Sequence, residues 1–258
     1  MSYLTLPSKQ NSRKVTALAL PIVVASMSQT LMSLIDIAMV GRLGAAAVAA
    51  VGLAGLTTFT LAALLGAIQV GVQTVSARRK GEGRLGEAAD TFRVSFWLAL
   101  ILGHLVAALF VAVVPALFHL MVADPAVYGP GAGYLAYRGL SLGVVMAGSV
   151  FYGFYNAIGR TRIHMLATLV ANTANVVLNY GFIFGRLGLP ELGAPGAGLA
   201  TAIASGITVV LYAVPIFWNP FVHAVGPRVL PEGDGFHKYW DNIQAAYPYP
   251  WEVWEVKP

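Results

Sequence analysis

The chain has 258 residues, of which 57% are hydrophobic and only 10% are charged, and its mean hydropathy is +0.71. Soluble domains contain about 45 to 50% apolar and about 25% charged residues, so this composition excludes an ordinary soluble domain and predicts an integral membrane protein. The net charge of +5 comes from basic residues that flank apolar stretches, which favours no nucleic-acid partner. The absence of cysteine excludes a disulfide framework and a thiolate metal site.

Six apolar stretches are long enough to cross a hydrocarbon core of about 30 Å as helices, which takes about 20 residues each. They cover approximately residues 15–40, 46–76, 94–121, 131–157, 163–185 and 196–218. The expected fold class is therefore all-α, a polytopic membrane protein with a six-helix transmembrane bundle. The mixed-charge connection over residues 77–90 is expected to hold a short interfacial helix.

The distribution of charge divides the chain into three segments. Residues 1–14 form a cytoplasmic N-terminus, residues 15–218 the six-helix lobe, and residues 219–258 a cytoplasmic tail. Lysines and arginines are concentrated in the N-terminus and in the connections on the same side of the membrane as the N-terminus. The positive-inside rule assigns this side to the cytoplasm of a bacterial inner membrane. The tail is acidic and rich in Trp, Tyr and Pro, so we expect a partly ordered extension or the product of a truncated or shifted reading frame.

Asp36 is the only carboxylate within the predicted spans. An ionised aspartate at the centre of a membrane helix costs about 2.5 to 3.5 kcal/mol on insertion scales, so such groups usually face a polar cavity and bind protons or ions. On the same helix, Gln29 and Ser33 lie at helical spacing from Asp36, which predicts a polar face. Pro21, earlier in this helix, allows a kink.

Polar side chains recur at helical spacing on three other spans. The candidates for a shared hydrophilic chamber are Gln69 and Gln73 on the second span, Asn172, Asn175 and Asn179 on the fifth, and Thr201, Ser205 and Thr208 on the sixth. Their amides and hydroxyls supply neutral oxygen ligands for Na⁺ or hydrogen bonds to a carboxylate. The alternative interpretation is that these side chains only join helices, since polar contacts are common in membrane bundles.

Several stretches together resemble a known family. They are Pro21 and Gln29 with residues 33–44 (SLIDIAMVGRLG), residues 73–84 (QTVSARRKGEGR), residues 155–162 (YNAIGRTR), residues 175–185 (NVVLNYGFIFG), and the Gly-rich residues 188–202. In this order they resemble the N-terminal half of the multidrug and toxic compound extrusion family, NorM-type. The resemblance covers approximately residues 10–218.

The resemblance implies a secondary antiporter that exports cationic or amphipathic drugs while H⁺ or Na⁺ enters, without ATP or a cofactor. It assigns the coupling-ion site to Asp36, Asn175, Asn179 and Thr201, with no metal other than Na⁺ at Asp36. Some branches of the family carry a second acid where this chain has Asn179, and the resemblance therefore implies either H⁺ or Na⁺ as the coupling ion. Family members have two such lobes, which implies a second lobe or a second copy of this chain as a partner.

Two other function classes remain as alternatives. One is a lipid-linked oligosaccharide flippase of a related superfamily, which is expected to need basic residues inside the cavity. The other is a non-transporting fragment or assembly subunit. An enzyme is not expected, because the sequence shows no nucleophile with a base and an orienting acid, and the spacing of the histidines forms no metal set.

Overall fold

The computed structural model describes residues 9–217, and all regular structure in that range is helical. The helices are α1 (Lys9–Gly41), α2 (Ala45–Gly81), α3 (Leu85–Met121), α4 (Pro125–Leu140), α5 (Leu142–Ala157), α6 (Thr161–Phe184) and α7 (Ala194–Phe217). The tail predicted for residues 219–258 lies outside the described residues.

The helices have the lengths that a bilayer requires. Five of them are long and apolar enough to cross a membrane, and α4 and α5 pass the same test as one span that is bent by 46°. Counting that pair once gives six spans in the predicted order, which confirms the all-α, six-helix membrane fold class. The break falls at Ser141, whose hydroxyl donates to the carbonyl of Arg138 at 2.7 Å.

The connection between α2 and α3 differs from the prediction, because no separate interfacial helix lies within residues 77–90. Instead α2 continues to Gly81 and α3 begins at Leu85, so the charged residues extend the two spans. The turn between them contains Gly83, whose φ of 78° is readily adopted by glycine. Arg78 pairs with Glu82 at 3.0 Å and Arg84 also pairs with Glu82, so the two helix ends and the turn are linked by ion pairs.

The core consists mainly of aromatic and aliphatic side chains from α2, α3 and α5. Phe92 of α3 contacts Phe151 and Phe154 of α5, with each pair of ring centroids 4.9 Å apart. Gly153 allows α5 to approach α2 closely, since a Cβ at that position would lie 2.5 Å from the carbonyl oxygen of Gln69. Small residues at such contacts are the usual means of close helix packing in membranes.

Of the remaining helices, α6 packs against α1 and α7, while α4 packs against α2 and α7. One end of the bundle contains the C-terminal end of α1 and the starts of α2, α4 and α7, and we call it the Asp36 end. The opposite end contains Arg78, Arg79, Lys80, Arg160 and Arg162, and we call it the basic end. The functional candidates divide between these two ends.

Candidate functional site

Asp36 lies near the C-terminal end of α1, about 8 Å from Gly41 at 1.5 Å per residue. Its side chain is half-buried, on the side of α1 that packs against α6. Ala25, Met32 and Val40 lie on this packed side and are at most 4% exposed, so apolar contacts orient the helix and bring Asp36 to α6. The acid is therefore inside the bundle but away from the middle of the span.

Asn179 of α6 is the direct partner of Asp36. Its amide nitrogen donates both to Asp36 Oδ1 and to the Asn175 side-chain oxygen, the latter at 2.8 Å. Asn179 is fully buried, and its own side-chain oxygen has no hydrogen-bond partner among the described residues. A buried oxygen beside a carboxylate, without a donor of its own, is a site that a cation can satisfy.

Asn175 extends the cluster from α6 to α7. It lies one helical turn before Asn179, is 3% exposed, and donates to the Thr201 hydroxyl at 3.3 Å. In the other orientation of its amide, the nitrogen would lie 3.3 Å from Asp36 Oδ1 and the oxygen 3.2 Å from the Thr201 backbone nitrogen. In both orientations Asn175 links α6 to α7, so four of the predicted residues from three helices come together.

Arg138 of α4 is a charged neighbour of this cluster. It interacts electrostatically with Asp36 and hydrogen-bonds Tyr134, and its Nε is buried without a hydrogen-bond partner among the described residues. Arg138 was not among the candidate residues predicted from the sequence. It lies on α4, which packs against both α2 and α7, and its buried Nε places a basic group inside the bundle.

The other polar residues of α1 lie outside the cluster. Gln29 and Ser33 are exposed in this lobe, and the Ser33 hydroxyl donates to the Gln29 carbonyl at 3.1 Å. Asn172, two turns before Asn179 on α6, instead donates to the hydroxyl of Ser28 at 2.8 Å. Ser28 was not predicted as a polar partner, although its spacing of eight residues from Asp36 places it at the edge of the same helix face.

Gln69 and Ser205 line a cavity of about 230 Å³ toward the basic end. Its wall includes His164, whose Nδ1 lies 2.5 Å from the Tyr212 hydroxyl. The predicted polar residues therefore do not share one chamber, because Ser205 lies one turn beyond Thr201 and lines this cavity. Gln73 is half-buried one turn beyond Gln69 and is not part of the Asp36 cluster.

A bent span, five continuous ones and a carboxylate held by amides inside the bundle define a polytopic helical membrane protein with a polar site between its helices. The MatE family model matches residues 21–181 of this chain. The chain belongs to this family, the multidrug and toxic compound extrusion (MATE) family that its motifs resemble.

Curated relatives agree with this assignment. A probable multidrug resistance protein NorM from Neisseria meningitidis is 30% identical over 213 residues, which is 81% of this chain and 46% of the relative. The multidrug resistance protein PmpM of Pseudomonas aeruginosa is 29% identical, with 80% of this chain and 43% of the relative covered. The chain thus spans about half the length of the curated relatives it matches.

Solved structures show the same fold. A MATE protein in complex with MaL6 superposes with a TM-score of 0.76 at 24% identity, covering 90% of this chain and 50% of that one. An outward-facing multidrug resistance MATE transporter of the MOP superfamily superposes with a TM-score of 0.75 at 23% identity, over the same shares. The fold is that of one half of a MATE transporter, in agreement with the N-terminal lobe that the motifs indicated.

Proposed function

We propose that the chain is the N-terminal lobe of a cation-coupled multidrug efflux antiporter of a bacterial inner membrane. In this proposal Asp36, Asn175, Asn179 and Thr201 bind the coupling ion, Na⁺ or H⁺. The family membership and the named multidrug resistance relatives support the transport class. The arrangement of oxygen atoms around Asp36 supports the assignment of the ion site.

The observation that carries the proposal is the unpaired oxygen of Asn179 beside the Asp36 carboxylate. Hard cations prefer carboxylate, amide and hydroxyl oxygens, and this cluster offers all three types through Asp36, the two asparagines and Thr201. A proton can take the same place on Asp36, because a protonated carboxyl group is a hydrogen-bond donor that needs an acceptor such as the Asn179 oxygen. Both ions therefore suit the geometry.

Arg138 gives the site a second state. When no ion is bound, the guanidinium group provides a positive charge near the Asp36 carboxylate, which reduces the cost of leaving that charge inside the bundle. An arriving cation has to compete with this interaction. The site can then release its ion as well as bind it, which is what a transport cycle requires.

The substrates in this proposal are cationic or amphipathic organic compounds. Much of the outer surface of α1 is apolar, with Met27, Leu31, Leu34 and Ile37 between 59% and 67% exposed, so this side faces lipid or a partner. Gln29 and Ser33 are exposed as well, although their spacing places them on the Asp36 face of the helix and away from Met27. A second lobe or a second copy of the chain would complete a cavity that these two residues line, together with Gln69, Gln73, Asn172 and Ser205.

The test is transport by purified chain in liposomes loaded with a fluorescent organic cation. A Na⁺ gradient at equal pH and a pH gradient without Na⁺ are imposed separately, and the chain is assayed alone and after fusion to the second lobe of a relative. We expect efflux driven by at least one gradient, and its loss in Asp36→Asn. Asp124→Asn is the matched control, because it removes a carboxylate that caps α4 and asparagine caps a helix equally well.

Efflux that persists in Asp36→Asn at equal protein amount would contradict the ion-site assignment. Translocation of a labelled lipid-linked sugar, with no efflux of the cation, would show a flippase instead. Absence of all transport, even after fusion to a second lobe, would favour the assembly-subunit interpretation.

A further inference from the structure

An open groove of about 550 Å³ lies at the basic end of the bundle, between α1, α6 and α7. Its walls are apolar and include Leu18, Leu166, Val170, Leu211, Val214 and Pro215. Leu166 and Val170 are 52% and 50% exposed, so the groove is open along its length. It is separate from the ion site, because Ala17 at its wall lies about 28 Å from Asp36 along α1.

The groove ends at a cluster of positive charge. Arg160 and Arg162 line it on either side of Thr161, and within residues 9–217 neither arginine forms an ion pair with an acidic residue. Lys80 adds a third positive charge, since its ammonium group donates to the carbonyl of Ile158 at 2.7 Å. All three charges lie where α6 begins, at the edge of the apolar walls.

The backbone at the same place is also suited to an anion. Arg160 is the N-cap of α6 and its side chain makes no capping hydrogen bond. The first N–H groups of a helix without a cap point out of its N-terminal end and, with the helix dipole, favour a phosphate group. Two guanidinium groups and these N–H groups therefore lie at the charged end of an apolar groove, with the Lys80 ammonium group nearby.

We propose that this groove binds an anionic glycerophospholipid of the bilayer. Its phosphate would contact Arg160, Arg162 and the start of α6, and one acyl chain would lie against Leu166 and Val170. An organic cation is disfavoured there because the arginines repel it. A free phosphate would leave the apolar walls exposed. A bound lipid would also join α1 to α7, two helices with little direct contact in this lobe.

The test uses native mass spectrometry of the full chain released from micelles that contain phosphatidylglycerol and phosphatidylcholine with identical acyl chains. Each arginine near a membrane surface contributes about fivefold in affinity for an anionic lipid, so we expect about a 25-fold preference for phosphatidylglycerol. Arg160→Gln with Arg162→Gln should remove most of it. The matched control is Arg42→Gln with Arg186→Gln, an equal charge change at the Asp36 end, which should keep it.

A second variant tests the apolar walls without changing the charge. Leu166→Trp places a large ring in the groove from an already exposed position, and it should reduce retention of both lipids while leaving the helix content unchanged. The proposal is overturned if the wild-type chain shows no preference for phosphatidylglycerol, or if the two double variants lose it equally. Retention of neither lipid also overturns the proposal, because it would show that a second copy or the residues after 217 fill the groove.

Discussion

Replacing Asn179 by alanine is the sharpest test of the ion site. The change removes the donor shared by Asp36 and Asn175, and also the unpaired oxygen beside the carboxylate. A hydrogen bond to a charged group contributes about 1.5 to 3 kcal/mol, and each 1.4 kcal/mol corresponds to a factor of ten in affinity. Loss of the Asn179 oxygen should therefore lower the affinity for Na⁺ by about 10- to 100-fold. Loss of the Asn179 donor removes a bond that stabilises the ionised Asp36 carboxylate, so a proton should instead bind more tightly in this variant.

The matched control for this change is Asn172→Ala, on the same helix. Its amide donates to the neutral, partly buried Ser28, and such contacts in membrane bundles average about 0.6 kcal/mol. We expect Asn172→Ala to change the affinity for the ion by less than about twofold, because the one hydrogen bond of its side chain among the described residues goes to Ser28, outside the Asp36 cluster. Comparing the two variants separates loss of an ion ligand from general weakening of the contact between α1 and α6.

The assay measures binding of radioactive Na⁺ to purified chain and, in medium free of Na⁺, the uptake of protons on acidification. The affinity for whichever ion binds is compared between the wild type and both variants, at equal helix content. Equal affinities in the wild type and Asn179→Ala would refute the reasoning. So would an equal loss in both variants, because the effect would then come from helix packing.

Three further predictions concern helix contacts, a helix cap and a turn of the lobe. Gly198→Val should destabilise the chain by about 1 to 3 kcal/mol, because a Cβ at Gly198 would lie 2.9 Å from the Tyr134 carbonyl oxygen. The control is Gly206→Val, since a Cβ at Gly206 would meet open space, and the unfolding temperature of Gly198→Val should be the lower of the two. Equal unfolding temperatures would contradict this prediction. Asp124→Ala should cost about 0.5 to 2 kcal/mol by removing the cap of α4, and Asp124→Asn should restore it. Hydrogen bonds from Arg84 and Arg78 lower the pKa of Glu82, so its contribution to the α2–α3 turn is present at neutral pH and is lost as the pH falls through that lowered pKa. Carbon NMR should show the Glu82 midpoint rising in Arg84→Gln, and an unchanged midpoint would disagree.

The spans were predictable from the sequence because the bilayer sets both their length and their composition. The rotation of α1 was less predictable. Gln29 and Ser33 share a broad face with Asp36, but the buried residues of α1 are Ala25, Met32 and Val40, and Ser28 instead of Gln29 forms the hydrogen bond to α6. Helical spacing alone does not determine which residues of this face are buried, because their burial depends on the side chains of another helix.

The sequence also did not predict that α2 and α3 extend into residues 77–90, or that the span of α4 and α5 is bent. The charged residues after position 76 suggested a separate interfacial element, whereas ion pairs such as Arg78 with Glu82 allow α2 to continue into water. The break at Ser141 has no proline at the junction but lies between Gly139 and Gly143, and glycine with serine is a weaker signal for a bend than proline. By contrast, the contact of Asp36 with Asn179 followed from spacing together with the family motifs, while its function as an ion site is still a prediction.

The position of Arg138 near Asp36 has a consequence for the order of biosynthesis. An arginine at the centre of a span costs about 2.5 to 3.5 kcal/mol on insertion, and α4 is a short half-span that also contains Pro130. Because α1 is synthesised first, Asp36 is already in the bilayer when α4 leaves the ribosome. The translocon can therefore release α4 beside a preinserted negative charge, and losing Asp36 should delay the integration of a helix made about 100 residues later.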